Sequence, residues 1–132
     1  MNVFSSLFGS KENQKNSSAT MAWIPLVDLG QLNEIVLASE AQPVIIFKHS
    51  TTCGISRMAL KQFENEFDLQ DKVSPYFLDL LQHRDISNAI AERFVVQHQS
   101  PQLLLIRDGK SIFDASHSAI SVAELHRNLV VR

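Results

Sequence analysis

Cys53 is the only cysteine in the chain, and His49, Ser50, Thr51, Thr52 and Ser56 crowd the few positions around it. A thiol can act as a nucleophile, a metal ligand or half of a disulfide. With one cysteine in 132 residues, a disulfide inside the chain and a multi-cysteine zinc site are both excluded. The thiolate is the reacting form. Thiols ionise most readily at a helix N-terminus, where unpaired N–H groups and the helix dipole favour an anion. The flanking residues supply that setting: Val44-Ile45-Ile46-Phe47-Lys48 reads as a buried strand, His49-Ser50-Thr51-Thr52 as a polar loop, and Cys53-Gly54-Ile55-Ser56 as the opening of a helix. Redox chemistry at Cys53 must then engage a sulfur of another molecule.

The neighbours divide by what their side chains can do. Ser56, one helical turn beyond Cys53, can donate a hydrogen bond to the thiolate or help cap the turn, and both readings stay open. It cannot resolve a disulfide. Thr52 is expected to cap the helix, with shaping of the thiol pocket as its other role. His49 reads as an exposed loop histidine, able to raise the local positive potential or serve as an acid. Lys48 and Arg57 read as a solvated strand end and a helix face, with the capacity to attract carboxylates. His83, His98, His117 and His126 fall on separate elements without metal-ligand spacing, so neither a metal site nor a bound cofactor is expected.

The elements that must hold this segment follow from hydrophobic period and punctuation. Ala22–Leu26 is a short first strand, and Pro25 suits an edge because it cannot donate a ladder hydrogen bond. Asp28 is placed as the N-cap of a helix through Leu32, Ile35, Val36 and Leu37. The unbroken β-branched run from Val44 predicts a strand covered on both faces. The helix after Cys53 is expected to turn Ile55, Ala59, Leu60, Phe63 and Phe67 inward. Tyr76–Leu80 is a third strand, and Asp85 caps a helix carrying Ile86, Ile90 and Phe94. Gln102–Arg107, the Asp108-Gly109 turn and Ser111–Ala115 form a hairpin. Ser121 and Glu124 match a capping box that opens a last helix with Leu125 and Leu129 inward. The order is βαβαβαββα, an α/β fold with a central mixed sheet flanked by helices.

The chain is long enough for one domain with a real core. Its net charge of −2 argues against non-specific nucleic-acid binding. No apolar run approaches the ~20 residues of a membrane span. Residues 1–20 are polar and read as a flexible tail, although Phe4, Leu7 and Phe8 fall at helical spacing. Residues 21–132 are then the domain. A single cysteine suits a reducing compartment, so a cytoplasmic monomer is expected.

That order, with a cysteine at the start of the second helix, resembles the thioredoxin fold. Ser100-Pro101 stands where that fold carries a cis-proline, just before the terminal hairpin. The resemblance implies that Pro101 is cis and presents the Ser100 backbone beside Cys53, where an extended substrate can pair with it. Phe47-Lys48-His49-Ser50-Thr51-Thr52-Cys53-Gly54-Ile55-Ser56 is similar to the active-site segment of the monothiol bacilliredoxins of the YtxJ type, over roughly residues 22 to 131. Gly54 stands where many relatives have proline. The resemblance implies a thiol-disulfide oxidoreductase that uses bacillithiol, a glucosamine-malate-cysteine thiol, as co-substrate. Its partners would be S-bacillithiolated client proteins. Cys53-Gly54-Ile55-Ser56 is also close to the cysteine-glycine-phenylalanine-serine motif of monothiol glutaredoxins, which carry iron–sulfur clusters. Against that alternative, Ala115–Ala119 lacks the paired glycines and Asp that grip glutathione, and the family's lysine lies further from its cysteine than Lys48 does. A non-catalytic thioredoxin-like adaptor is a third reading.

Overall fold

The apolar run at Val44 becomes the middle strand of a five-stranded sheet. In the computed structural model, which describes residues 21–130, the elements are β1 (Ile24–Pro25), α1 (Gln31–Ala41), β2 (Val44–His49), α2 (Gly54–Glu66), β3 (Ser74–Asp79), α3 (Arg84–Phe94), β4 (Gln102–Arg107), β5 (Lys110–Ser116) and α4 (Val122–Val130). The tail expected over residues 1–20, with its possible amphipathic turn, lies outside the described residues. The strands lie in the order β1-β3-β2-β4-β5. β1, β3 and β2 run parallel, while β4 and β5 are antiparallel additions. Pro25 is on an edge strand, paired only with β3.

Alternation along the central strands feeds two cores. Val44 and Ile46 of β2, with Leu104 and Ile106 of β4, pack under Leu32 and Ile35 of α1 and Ile86, Ile90 and Phe94 of α3. Ile45, Phe47, Leu103 and Leu105 face the other way, under Phe63 of α2 and Val122 and Leu125 of α4. Every residue of β2 is buried, as expected for a strand covered on both faces. Leu104 is 0 % exposed at the centre of one core. We expect Leu104→Ala to cost about 3 kcal/mol in urea unfolding, the usual range for a leucine removed from a close-packed interior. A loss under about 1 kcal/mol would mean that this layer is loosely packed.

Turn chemistry holds the hairpin to the body of the fold. Asp108 and Gly109 both have positive φ, 53° and 78°, the pattern of a two-residue primed turn. A side chain at Gly109 would meet Val36 Cγ1 at 3.2 Å, so the position needs glycine on both counts. The Gly109 N–H donates to Ser39 Oγ (2.8 Å) and the Asp108 N–H to the Ser39 carbonyl (3.0 Å), tying the turn to α1.

Several local expectations shift by a residue or a face. Asp28 does not cap α1 directly. Its carboxylate accepts from the Gly30 N–H (2.9 Å) and its carbonyl from the Gln31 N–H (3.0 Å), so it opens a turn two residues ahead of the N-cap, Gly30. His83 stands at the N-cap of α3, and Asp85 lies inside the first turn, where its charge still suits the dipole. The Glu124 N–H donates to Ser121 Oγ (3.0 Å), but the Glu124 carboxylate turns to Arg127 (2.6 Å), so only half of the capping box forms. A 3-10 turn at His117–Ala119, not anticipated, joins β5 to α4. Among the described residues, no helix is long and apolar enough to cross a membrane.

Candidate active site

The end of β2 and the start of α2 place Cys53. It is the N-cap of α2, with extended backbone (φ −101°, ψ 122°) and no side-chain cap. Its N–H donates to the Ser50 carbonyl (3.2 Å), and its own carbonyl receives the Arg57 N–H (3.1 Å). The thiol is free and partly exposed. At this N-cap the unpaired N–H groups of the first turn lie beside the Cys53 residue.

Ser56 lies beneath the first turn and is 0 % exposed. Its Oγ receives the Ser50 N–H (3.0 Å) and bonds His49 Nδ1 (2.8 Å), and neither bond reaches Cys53. His49 is the last residue of β2 and is buried, not an exposed loop histidine. Its ring lies against Phe77 at a centroid distance of 5.5 Å. Burial lowers the His49 pKa below 6.5; Asp79 and Glu64 pull it back up, and Arg57 lowers it further.

The other expected residues separate. Thr52 does not cap the helix: the cap position is Cys53, and the exposed Thr52 hydroxyl contacts Ser50 Oγ at 3.5 Å. Arg57 is exposed and donates to the Thr51 carbonyl (3.2 Å), which braces the loop from outside. Lys48 is not a solvated strand end. It is 0 % exposed, its Nζ has no partner among the described residues, and burial lowers its pKa to about 8. Its register partner on β4 is Gln102, whose Oε1 is also buried without a partner. Lys48 therefore does not offer its amine to a carboxylate in solvent. A side chain at Gly54 would meet only Arg57 Nη2, at 3.8 Å, so no crowding demands glycine there. The Ser100–Pro101 bond is cis, and the Pro101 carbonyl receives the His117 N–H (3.1 Å).

Ile55 departs most from expectation. It is 60 % exposed, because Ser56, not Ile55, is in phase with Phe63 on the inward face of α2. With Met58, which is 73 % exposed, it lines a cavity of about 180 Å³ between α2 and the 3-10 turn at His117. An apolar cleft thus opens two residues from the thiol, and its signal in the sequence is the apolar pair Ile55 and Met58, three apart. Among the described residues no group of three or more His, Cys, Asp or Glu side chains is placed to hold a metal.

Residues 24–125 match the family model for monothiol bacilliredoxin BrxC. A solved structure described as an oxidoreductase candidate with a thioredoxin fold is 32 % identical, with 80 % of this chain and 92 % of that chain covered and a TM-score of 0.69. Thioredoxin from Malassezia sympodialis (20 % identity, 82 % and 89 % covered, TM-score 0.62) and from Fasciola hepatica (17 % identity, 82 % and 98 % covered, TM-score 0.62) share the fold.

Proposed function

The chain belongs to the monothiol bacilliredoxin family, and from that premise we propose that it removes bacillithiol from protein mixed disulfides through Cys53. Thiol redox function on a thioredoxin fold is the coarser statement that this membership carries. The observation that supports the finer one is a single, partly exposed cysteine at a helix N-cap, with a fully buried serine where a second cysteine would resolve a disulfide.

The Cys53 thiolate attacks the bacillithiol sulfur of the client mixed disulfide. A Cys53–bacillithiol bond forms as the client bond breaks, and the client leaves as a thiolate that takes up a proton. Cys53 is oxidised and the client reduced, with no external oxidant. A second small thiol then attacks the sulfur held on Cys53 and leaves as the oxidised small-thiol disulfide, returning Cys53 to the thiolate. Each step is ordinary exchange, fastest when the attacking thiol titrates near ambient pH. Thr52, Gly54, Ser100 and Pro101 form the environment of the thiol in this reading, with Ser56 bracing the turn from beneath, and the protein acts as a monomer in a reducing compartment. The cleft at Ile55 and Met58 supports the reading by leaving apolar surface for a client on the first turns of α2, the helix that Cys53 caps.

A client carrying one bacillithiol disulfide tests this directly. With reduced bacillithiol present, we expect the protein to accelerate return of the free client thiol at catalytic concentrations. Client release no faster than with bacillithiol alone would refute the activity.

A further inference from the structure

His49 and Ser56 make a buried bond that the exchange chemistry does not by itself require. Counting hydrogens assigns its direction. A serine hydroxyl has one hydrogen and two lone pairs. Ser56 Oγ already accepts from the Ser50 N–H at 3.0 Å. Among the described residues its hydrogen has one acceptor in reach, His49 Nδ1 at 2.8 Å. The opposite direction, with Nδ1–H donating, would leave a fully buried hydroxyl hydrogen without an acceptor, which folded proteins avoid. His49 is thus the neutral tautomer protonated at Nε2. Its burial favours the neutral ring over the opposing pull of Asp79 and Glu64, with Arg57 acting in the same sense as burial.

The bond closes a loop of hydrogen bonds on the Cys53 backbone. The Ser50 N–H is held by Ser56, the Ser50 carbonyl holds the Cys53 N–H, and Ser56 is held by the end of β2 through His49. We propose that His49 is the positioning residue for Cys53, its Nδ1 accepting the Ser56 hydrogen and so clamping the first turn of α2 onto the end of β2. The inference rests on Cys53 being the reacting thiol. It also assigns Ser56 away from the thiolate: its single hydrogen is committed to the imidazole.

Two variants separate this role from plain packing. His49→Asn keeps an acceptor near the position of Nδ1 and loses the ring against Phe77. His49→Phe keeps the ring and loses the acceptor. The readout is the rate of Cys53 reaction with a chromogenic aryl disulfide as a function of pH, below each variant's melting temperature. We expect His49→Phe to be at least about fivefold slower, with its pH midpoint displaced by roughly half a unit or more, and His49→Asn to stay within about twofold of wild type. The reverse order, equal losses, or no loss in either would overturn the proposal. Nitrogen NMR of the wild-type imidazole gives a check that needs no variant: Nε2 protonated and Nδ1 bare at neutral pH is the expected state, and a protonated Nδ1 refutes it. None of these measurements uses a client. A protein that passes them yet leaves a client mixed disulfide untouched would refute the proposed activity and leave the role of His49 standing.

Discussion

Cys53→Ser is expected to abolish client release, leaving only the uncatalysed rate. The chain holds no other sulfur nucleophile, because Cys53 is its single cysteine. A serine hydroxyl is not ionised at neutral pH, and among the described residues no base is bonded to the side chain at position 53 to activate it. The fold should tolerate the change. The Cys53 side chain is only partly buried and makes no cap bond, and substitutions away from tightly packed or bonded positions usually fall within about 0.5 kcal/mol. Activity should vanish while the melting curve stays near that of wild type. Residual turnover above background would move the chemistry away from Cys53, and a collapsed melting curve would give that residue a structural role.

Lys48→Met is expected to stabilise the protein by about 3 kcal/mol at pH 7. The unfolded chain holds the Lys48 proton with an ordinary pKa of 10.5, and the folded one with a pKa of about 8, because burial disfavours the ammonium. The charge is present in both states below about pH 8, so the full cost applies there. As pH rises from about 8 to 10.5 the folded amine loses its proton and the cost fades, so wild-type stability climbs with pH over this window. Among the described residues nothing offsets the cost, since Lys48 Nζ has no partner there and Gln102, its neighbour in register, donates its Nε2 to the Gln97 carbonyl (3.0 Å). Methionine fills similar space with a flexible apolar chain. Urea unfolding at pH 7 and pH 10 measures both halves of the expectation. A Lys48→Met protein that is less stable at pH 7 would mean that the amine is paired in the folded chain, and a pH-independent difference would mean that burial of charge is not the cause.

The parts of the fold governed by local rules are legible in the residues themselves. β2 announces itself by an unbroken apolar run, the hairpin by Asp108-Gly109, and the reactive thiol by its place between a strand and a helix. What is not legible depends on phase and on which strand is central. Assigning Ile55 inward follows its hydrophobicity, but once Cys53 is the N-cap, α2 turns Ser56 and Phe63 to the sheet and leaves Ile55 about a quarter-turn away, on the surface. Lys48 looks like a solvated strand end, and His49 like an exposed loop residue, because they are polar. β2 is flanked by β3 and β4, and its pairing with β3 continues to His49, opposite Asp79, so both side chains are covered. The spacing of Ser56, Leu60, Phe63 and Phe67 carries a signal for the inward face of α2, once a serine is allowed among inward positions. Propensity gives Thr52 the cap, yet the chain turns one residue later.

The central claim is that Cys53 takes the small thiol itself and forms no lasting bond to the client. Intact mass spectrometry of a single turnover tests it most directly. Reduced protein is mixed with an equal amount of bacillithiolated client and quenched in acid. Cys53 is expected to gain the mass of bacillithiol less two hydrogens while the client returns to its free-thiol mass in step. A disulfide between Cys53 and the client, or a freed client with no adduct on Cys53, would contradict it.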